Sequence, residues 1–467
     1  MIAFTKNKPA PTRYNHPLPM ETTLKTDQNS GVSLNRIYKT WWPLAASWFM
    51  MSLEGPLISA IIARLVNPTI SLAAFGGIIN PLSLVIEAPV VMLLSASTVL
   101  SKDYASFTKL RKAMLIMGGS LTVLHFLVAF TPLYYFVVNN ILGVPEELVA
   151  PARTGMMIML PWTWSIGYRR FNQGVMIRFG HSDGVMQCTM VRLSTIILVL
   201  FGGYFIGTIP GIIVATIAEA AGVTFEAIFS GLRVRRIVQD DVKSVPVSDP
   251  FSWREFAAFY APLVLTSLLQ FLGNPIGSAA LSRMPNAIDS LATWGVILNL
   301  VFLLRSIGMG YNEVVVALIS EKGSFMNLKN FSHMLTAFLT IVVLVIFLTP
   351  ISRLWFEQVT GLSGELSELA RSSLVYVLVV PPLSVYQSWF QGSILYSRKT
   401  NSITESVILY LVVFVSVLIA GVIWGKATGL YVGVAAFSLA NVAQTFWLFI
   451  RSRNILAQIH QRDVVKE

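Results

Sequence analysis

The sequence predicts an all-α integral membrane protein of about twelve transmembrane helices arranged as two parallel six-helix bundles, and three observations carry that expectation. First, 54% of the residues are apolar and only 12% are charged, with a mean hydropathy of +0.66. A soluble globular chain carries about twice that charge. Second, from Trp41 onwards apolar runs of about twenty residues follow one another, each long enough to cross a ~30 Å hydrocarbon layer as a helix. Third, residues 43–80 recur 219 positions later without a gap: 14 of 38 aligned positions are identical, among them Pro43/Pro262, Pro56/Pro275, Arg64/Arg283, Gly76/Gly295 and Asn80/Asn299. Unrelated apolar stretches share roughly three.

The first forty residues are polar and dotted with proline, with no apolar run long enough for a signal-peptide core, and read as a disordered cytoplasmic tail. Twelve spans follow, at about 41–65, 72–100, 112–139, 154–177, 184–206, 209–232, 256–281, 290–319, 331–355, 372–397, 403–424 and 428–450. Helices are expected rather than a barrel, because backbone groups in lipid must be satisfied within the segment and no alternating ten-residue pattern occurs. The charged stretch Arg233–Phe251 separates the sixth span from the seventh, so 41–232 and 254–455 are the two lobes, 233–253 the cytoplasmic linker and 456–467 a second cytoplasmic tail. Six spans per half return the chain to its starting side, which makes the repeats parallel.

With both termini inside, inner tails and loops hold 24 of the 34 Lys and Arg, and outer loops hold six. That bias sets the orientation, in a cytoplasmic (inner or plasma) membrane, and accounts for the net charge of +11 without a nucleic-acid partner. Cys188 is the single cysteine, so no intramolecular disulfide can form.

Ionisable groups at membrane depth cost about 2.5 kcal/mol or more each, so they face a cavity, a pathway or one another. The first lobe contains Glu54, Glu87, Arg169, Arg170, Arg192 and Glu219, the second Arg305 and Glu313. Duplication copied the scaffold and left most charges in one half: Glu54 aligns with Gly273, and Glu87 with Ser306. Asn80 and Glu87 are seven residues apart on one face of the second span, and Asn299, Ser306 and Glu313 repeat that spacing on the eighth. Those faces either line a central cleft or act as helix–helix glue.

Glu54 precedes Gly55-Pro56, where proline removes a backbone donor, and Pro43, Pro56, Pro262 and Pro275 are the candidate hinges. With Glu87, Glu54 is the candidate ion-coupling group, against a structural ion pair with a nearby arginine. Arg169, Arg170, Gln173 and Arg192 form a basic cluster suited to a carboxylate or phosphate, or else neutralise Glu54, Glu87 or Glu219. Arg169, Arg170, Gln173, Arg192 and Glu219, with Asn80, Asn299, Arg305 and Glu313, make up the candidate substrate cavity. Arg64 and Arg283 read as interface anchors at outer helix ends.

No phosphate-binding loop, nucleophile elbow or zinc signature is present, and the five histidines lack ligand spacing, His125 in the third span reading as a packed residue. The chain is therefore expected to be no enzyme, to hold no cofactor or metal and to hydrolyse no ATP.

Twelve spans in two halves, proline-broken first and seventh helices and the elements Phe171-Asn172-Gln173-Gly174 and Phe390-Gln391-Gly392 resemble the multidrug/oligosaccharidyl-lipid/polysaccharide flippase (MOP) superfamily. Trp41-Trp42-Pro43-Leu44-Ala45, with Pro262, Gln270, Pro275-Ile276 and Arg283, is similar to its progressive ankylosis branch, whose members are linked to efflux of organic or phosphate-type anions. The multidrug and toxic compound extrusion (MATE) branch is the other near relative. The resemblance implies a V-shaped, alternating-access antiporter driven by H⁺ or Na⁺, with an acidic residue of the first helix, here Glu54 by location, as protonation site. The interior of the seventh span, Phe256–Leu281, holds no carboxylate, which argues for H⁺ over Na⁺. The expected partners are a small organic or amphipathic solute, the coupling proton and membrane lipid, around a monomer. Export of an organic anion or pyrophosphate, and flipping of a lipid-linked precursor, stand as alternatives.

Overall fold

The structure, a computed structural model, describes residues 32–246, 251–397 and 401–464. Expectations for the N-terminal tail up to residue 31, and for Arg398 and Lys399, lie outside the described residues. Helices account for the described chain almost throughout: α1 Leu34–Ile62, α2 Pro68–Leu100, α3 Tyr104–Phe130, α4 Glu146–Ile158 continued by Leu160–Arg178, α5 Ser182–Ile206 and α6 Gly211–Asp240 form the first half. The second half comprises α7 Trp253–Leu281, α8 Ala287–Leu318, α9 Ser324–Leu348, α10 Gly364–Tyr376 continued by Val380–Tyr396, α11 Asn401–Trp424 and α12 Gly429–Val464. Among the described residues ten helices are long and apolar enough to cross a membrane, and α10, bent by 44° at its break, makes an eleventh. The twelfth expected span is α4, whose second half carries Arg169, Arg170, Asn172 and Gln173 and is therefore too polar to qualify by composition. This is an integral membrane protein.

Several helix ends differ from the expected bounds for local reasons. Ser33 caps α1, its hydroxyl accepting from the Arg36 amide at 3.3 Å, so the helix starts seven residues before Trp41. The spans expected to reach 139 and 355 stop at Thr131 and Thr349, each extended (ψ 172 and 169) because a proline follows. Short π-helical turns, Phe136–Leu142 and Leu354–Val359, then lead into α4 and α10. α6 runs through Arg233–Asp240 and α12 to Val464, since a helix with a charged end need not stop at the membrane surface.

The prolines act unequally. α1 is interrupted at Leu53, one turn before Pro56, where the missing amide leaves the Ser52 carbonyl without its i+4 donor. The seventh helix, expected to be broken, runs unbroken through Pro262 and Pro275.

The two halves interlock reciprocally. The first part of α1 packs into the second half's core, with Ile37, Trp41 and Ala45 buried among Tyr311, Phe331 and Leu335. Likewise the start of α7 enters the first half's core through Phe256 and Tyr260. Trp41 and Tyr260 occupy equivalent positions of the repeat and make equivalent bonds: the Trp41 indole donates to the Ile307 carbonyl at 3.1 Å, and the Tyr260 hydroxyl to the Pro89 carbonyl at 2.5 Å. In the first third of each helix, α2 and α8 touch backbone to backbone at Gly76 and Gly295, where a Cβ on Gly295 would lie 3.2 Å from the Gly76 Cα.

The end of the bundle remote from Leu34 and Val464, here the distal end, is closed by Arg64 and Arg283. Arg64 donates to the carbonyls of Gln358 and Val359 in the other half, and Arg283 to Leu142 (2.7 Å), Ile141 (2.8 Å) and Asn140 (3.3 Å). Each also holds the carbonyl four residues earlier on its own helix, Ala60 or Ala279, at 2.7 Å. The guanidiniums pack against Gly361 and Gly143, both at positive φ (72° and 65°). Arg64 and Arg283, expected to anchor the chain at the membrane interface, are thus a pair of clasps between the halves. Asn67 and Asn286, the two non-glycine residues at positive φ among the described residues (55° each), are likewise repeat equivalents, each preceding α2 or α8.

Candidate functional site: a buried charge network beside an interlobe cavity

α1, α2, α4, α5 and α6 converge within the first half, and their polar residues meet there. At the centre is Glu226, wholly buried on α6. Its Oε1 accepts from Arg169 Nη1 at 3.1 Å and from Gln173 Nε2 at 3.0 Å, and its other oxygen lies 3.8 Å from Arg192 Nε. Arg192 reaches on to an ion pair with Glu54 beside the α1 break. Glu219, one heptad before Glu226, lies against the Glu54 carboxyl with Arg192 next to both. Glu87 is buried, with Arg169, Arg170 and Arg192 as its charged neighbours and Oε2 without a hydrogen-bond partner.

Glu54, Glu87, Arg169, Arg170, Gln173, Arg192 and Glu219 are therefore brought together. Glu226 is missing from the sequence-derived set, although a signal existed: it is a second carboxylate on the same α6 face, at the seven-residue spacing that also relates Asn80 to Glu87. Four carboxyls thus face three guanidiniums. With every group ionised the network carries one uncompensated negative charge, and one proton neutralises it. Buried charge is tolerated only when paired, so this imbalance is chemically consequential.

Asn80 and Asn299 line a separate cavity of about 90 Å³ between the halves, together with Ser59, Asn274, Gly76 and Gly295. Asn299 donates to Ser59 at 3.1 Å. Further along the same α8 face, Ser306 meets Ser52 at 3.3 Å, and Glu313, exposed, accepts from the Trp48 indole at 3.3 Å. The 299–306–313 face is therefore a seam against α1. Solute pockets are typically about 300 Å³ or more, so this cavity admits no organic solute until the halves separate.

Arg305 does not join the other candidates. It lies in the second half, donating to Gln387 at 3.2 Å and stacked 5.9 Å from the Phe437 ring. Gln387 in turn donates to Thr445 at 3.0 Å. At an offset of 218, Gln387, Tyr410 and Phe437 replace Arg169, Arg192 and Glu219, so the equivalent site keeps its place and loses its carboxylates. The single substrate cavity expected from Asn80 through Glu313 is corrected to three places: the charge network, the interlobe seam and the Arg305 site. His125 is buried and hydrogen-bonded at both ring nitrogens, to Thr163 (2.6 Å) and the Met156 carbonyl (2.9 Å).

No protein-family model matches the sequence, and no curated protein matches it. Solved structures do match. A multidrug resistance MATE family transporter in an inward-facing conformation superposes with a TM-score of 0.67 over 90% of this chain and 99% of its own, at 16% identity. The lipid II flippase MurJ in an inward closed conformation gives 0.68 over 91% of each chain, also at 16% identity. The chain therefore shares its fold with these solved structures. The eukaryotic MATE transporter AtDTX14 is similar over 92% of this chain and 99% of its own, with a TM-score of 0.63 and 11% identity. In this fold the charge network occupies one bundle, and the small asparagine-lined cavity sits where the two bundles meet.

Proposed function

We propose that the chain is a secondary active exporter of small organic solutes that works by alternating access and is driven by protons. One observation carries the reading: a buried network with one carboxylate more than it has guanidiniums, placed beside the seam along which two duplicated bundles meet. A group that must gain a proton to be neutral can lose it when the cavity opens to the other side, which ties protonation to conformation. The Arg64 and Arg283 clasps hold the distal end shut in this state, and outward opening breaks both. The terminal end faces the cytoplasm, consistent with the distribution of Lys and Arg.

A second reading concerns the solute's charge. Arg305 is a membrane-depth cation with no carboxylate bonded to it among the described residues, which favours an organic anion or pyrophosphate over a cation. The test is flux of labelled ethidium, citrate and pyrophosphate in proteoliposomes, with and without a pH gradient. Flux of one of them that follows the gradient, and no longer follows it in Glu87→Gln, supports the reading. Failure of all three to move under any gradient counts against export of small solutes.

A further inference from the structure

A second cavity, of about 210 Å³, opens at the terminal end of the first bundle, away from the charge network. Its floor is the second half of α4, with Tyr168, Phe171 and Asn172, and its walls are the beginning of α3 and the last turns of α6. The turn Val242–Ser244 closes one edge and carries Lys243 over the Tyr104 ring at 5.4 Å. The Asn172 amide is committed to Ser230 at 3.1 Å, and neither Glu226 nor any other member of the charge network lines this space.

Three cations line the cavity, Arg111 from α3, Arg235 from α6 and Lys243, and among the described residues none that lines it is acidic. All three are exposed at its rim, whereas Phe107, Phe171 and Asn172 behind them are buried. Phe107 and Phe171 pack at 5.4 Å, which gives the inner wall a rigid apolar surface. Two guanidinium forks and one ammonium over an apolar wall suit a compact, multiply oxygenated anion, and the guanidinium geometry matches phosphoryl oxygens bidentately. The site lies between the ends of three spans, and basic pockets between helix ends recognise acidic headgroups.

We propose that this cavity binds a phosphoryl anion, presented by the headgroup of an acidic phospholipid or as a free phosphate, through Arg111, Arg235 and Lys243. The assignment goes beyond the transport reading and does not depend on it, because its readout is binding rather than flux.

The experiment follows thermal unfolding of the full chain in detergent micelles titrated with phosphatidylglycerol, phosphatidylcholine or inorganic phosphate. Phosphatidylglycerol is expected to raise the unfolding midpoint where phosphatidylcholine does not. In the double variant Arg235→Gln/Lys243→Gln the half-saturating concentration rises about tenfold or more, as losing two charge-assisted contacts requires. The control, Lys112→Gln/Arg236→Gln, removes the same charge from neighbouring exposed positions outside the cavity and leaves the titration unchanged. Saturation by inorganic phosphate alone, lost in the same cavity variant, identifies the free anion as the source, whereas a response to phosphatidylglycerol only identifies the lipid. Equal weakening in both double variants, or no stabilisation by either phosphoryl compound, overturns the proposal.

Discussion

Glu226 illustrates how a single side chain organises a buried site. It satisfies Arg169 and Gln173 directly and helps to balance Arg192, which in turn holds Glu54. Removing it strands the Arg169 guanidinium and the Gln173 amide, so Glu226→Ala should destabilise the protein by about 3–5 kcal/mol, read as a lowered unfolding midpoint in detergent. Glu87 is different, because its Oε2 has no partner and its loss breaks none of the ion pairs that hold Glu54 and Glu226. Glu87→Gln should therefore fold with a midpoint close to wild type. A drop as large as that of Glu226→Ala would show Glu87 to be structural. The sequence exposed seven of these eight residues because a charge inside an apolar run is conspicuous. Which guanidinium pairs with which carboxylate was not legible, since it depends on how five helices rotate about their axes.

At the scale of elements, the clasps at the distal end and the Trp41 and Tyr260 bonds tie each half to the other in repeat-related fashion. Each clasp arginine makes charge-assisted bonds to carbonyls at a π-helical turn, worth roughly 1.5–3 kcal/mol apiece. The double variant Arg64→Gln/Arg283→Gln should shift the population towards a distally open state. In a Cys188→Ser background, which has no other cysteine, Asn80→Cys should then react with an impermeant maleimide about tenfold faster. An unchanged rate would mean that the clasps do not control access. The clasps escaped sequence reasoning because an arginine bonded to carbonyls has no acidic partner to find, and repeated arginines at helix ends look like interface anchors. Twelve spans and the duplication were legible from hydropathy and from the 219-residue offset. The difference between a broken α1 and an unbroken α7 was not, because both contain the same prolines and the outcome is decided by packing.

Considered whole, the molecule is a duplicated scaffold whose halves kept the same clasp geometry and diverged at the proline breaks and in their interiors. One bundle holds four carboxyls and three guanidiniums, and the other holds Arg305 among Gln387, Tyr410 and Phe437. Under the proposed function, coupling belongs to the first bundle and anion recognition to the second. Arg305→Gln should accordingly raise KM for a transported anion and leave proton dependence in place, whereas Glu54→Gln should uncouple protons and leave substrate binding in place. Transport kinetics at several pH values separate the two effects.

The most direct measurement is of proton movement itself. Proteoliposomes containing the full chain and the pH-sensitive dye pyranine receive ethidium, citrate or pyrophosphate on one side, with wild type and Glu87→Gln compared. The expected result is a dye signal driven by one of these solutes in the wild type, and solute exchange without that signal in the variant. Solute flux that moves no protons in the wild type, or a signal of equal size in Glu87→Gln, would contradict the assignment of coupling to the buried network.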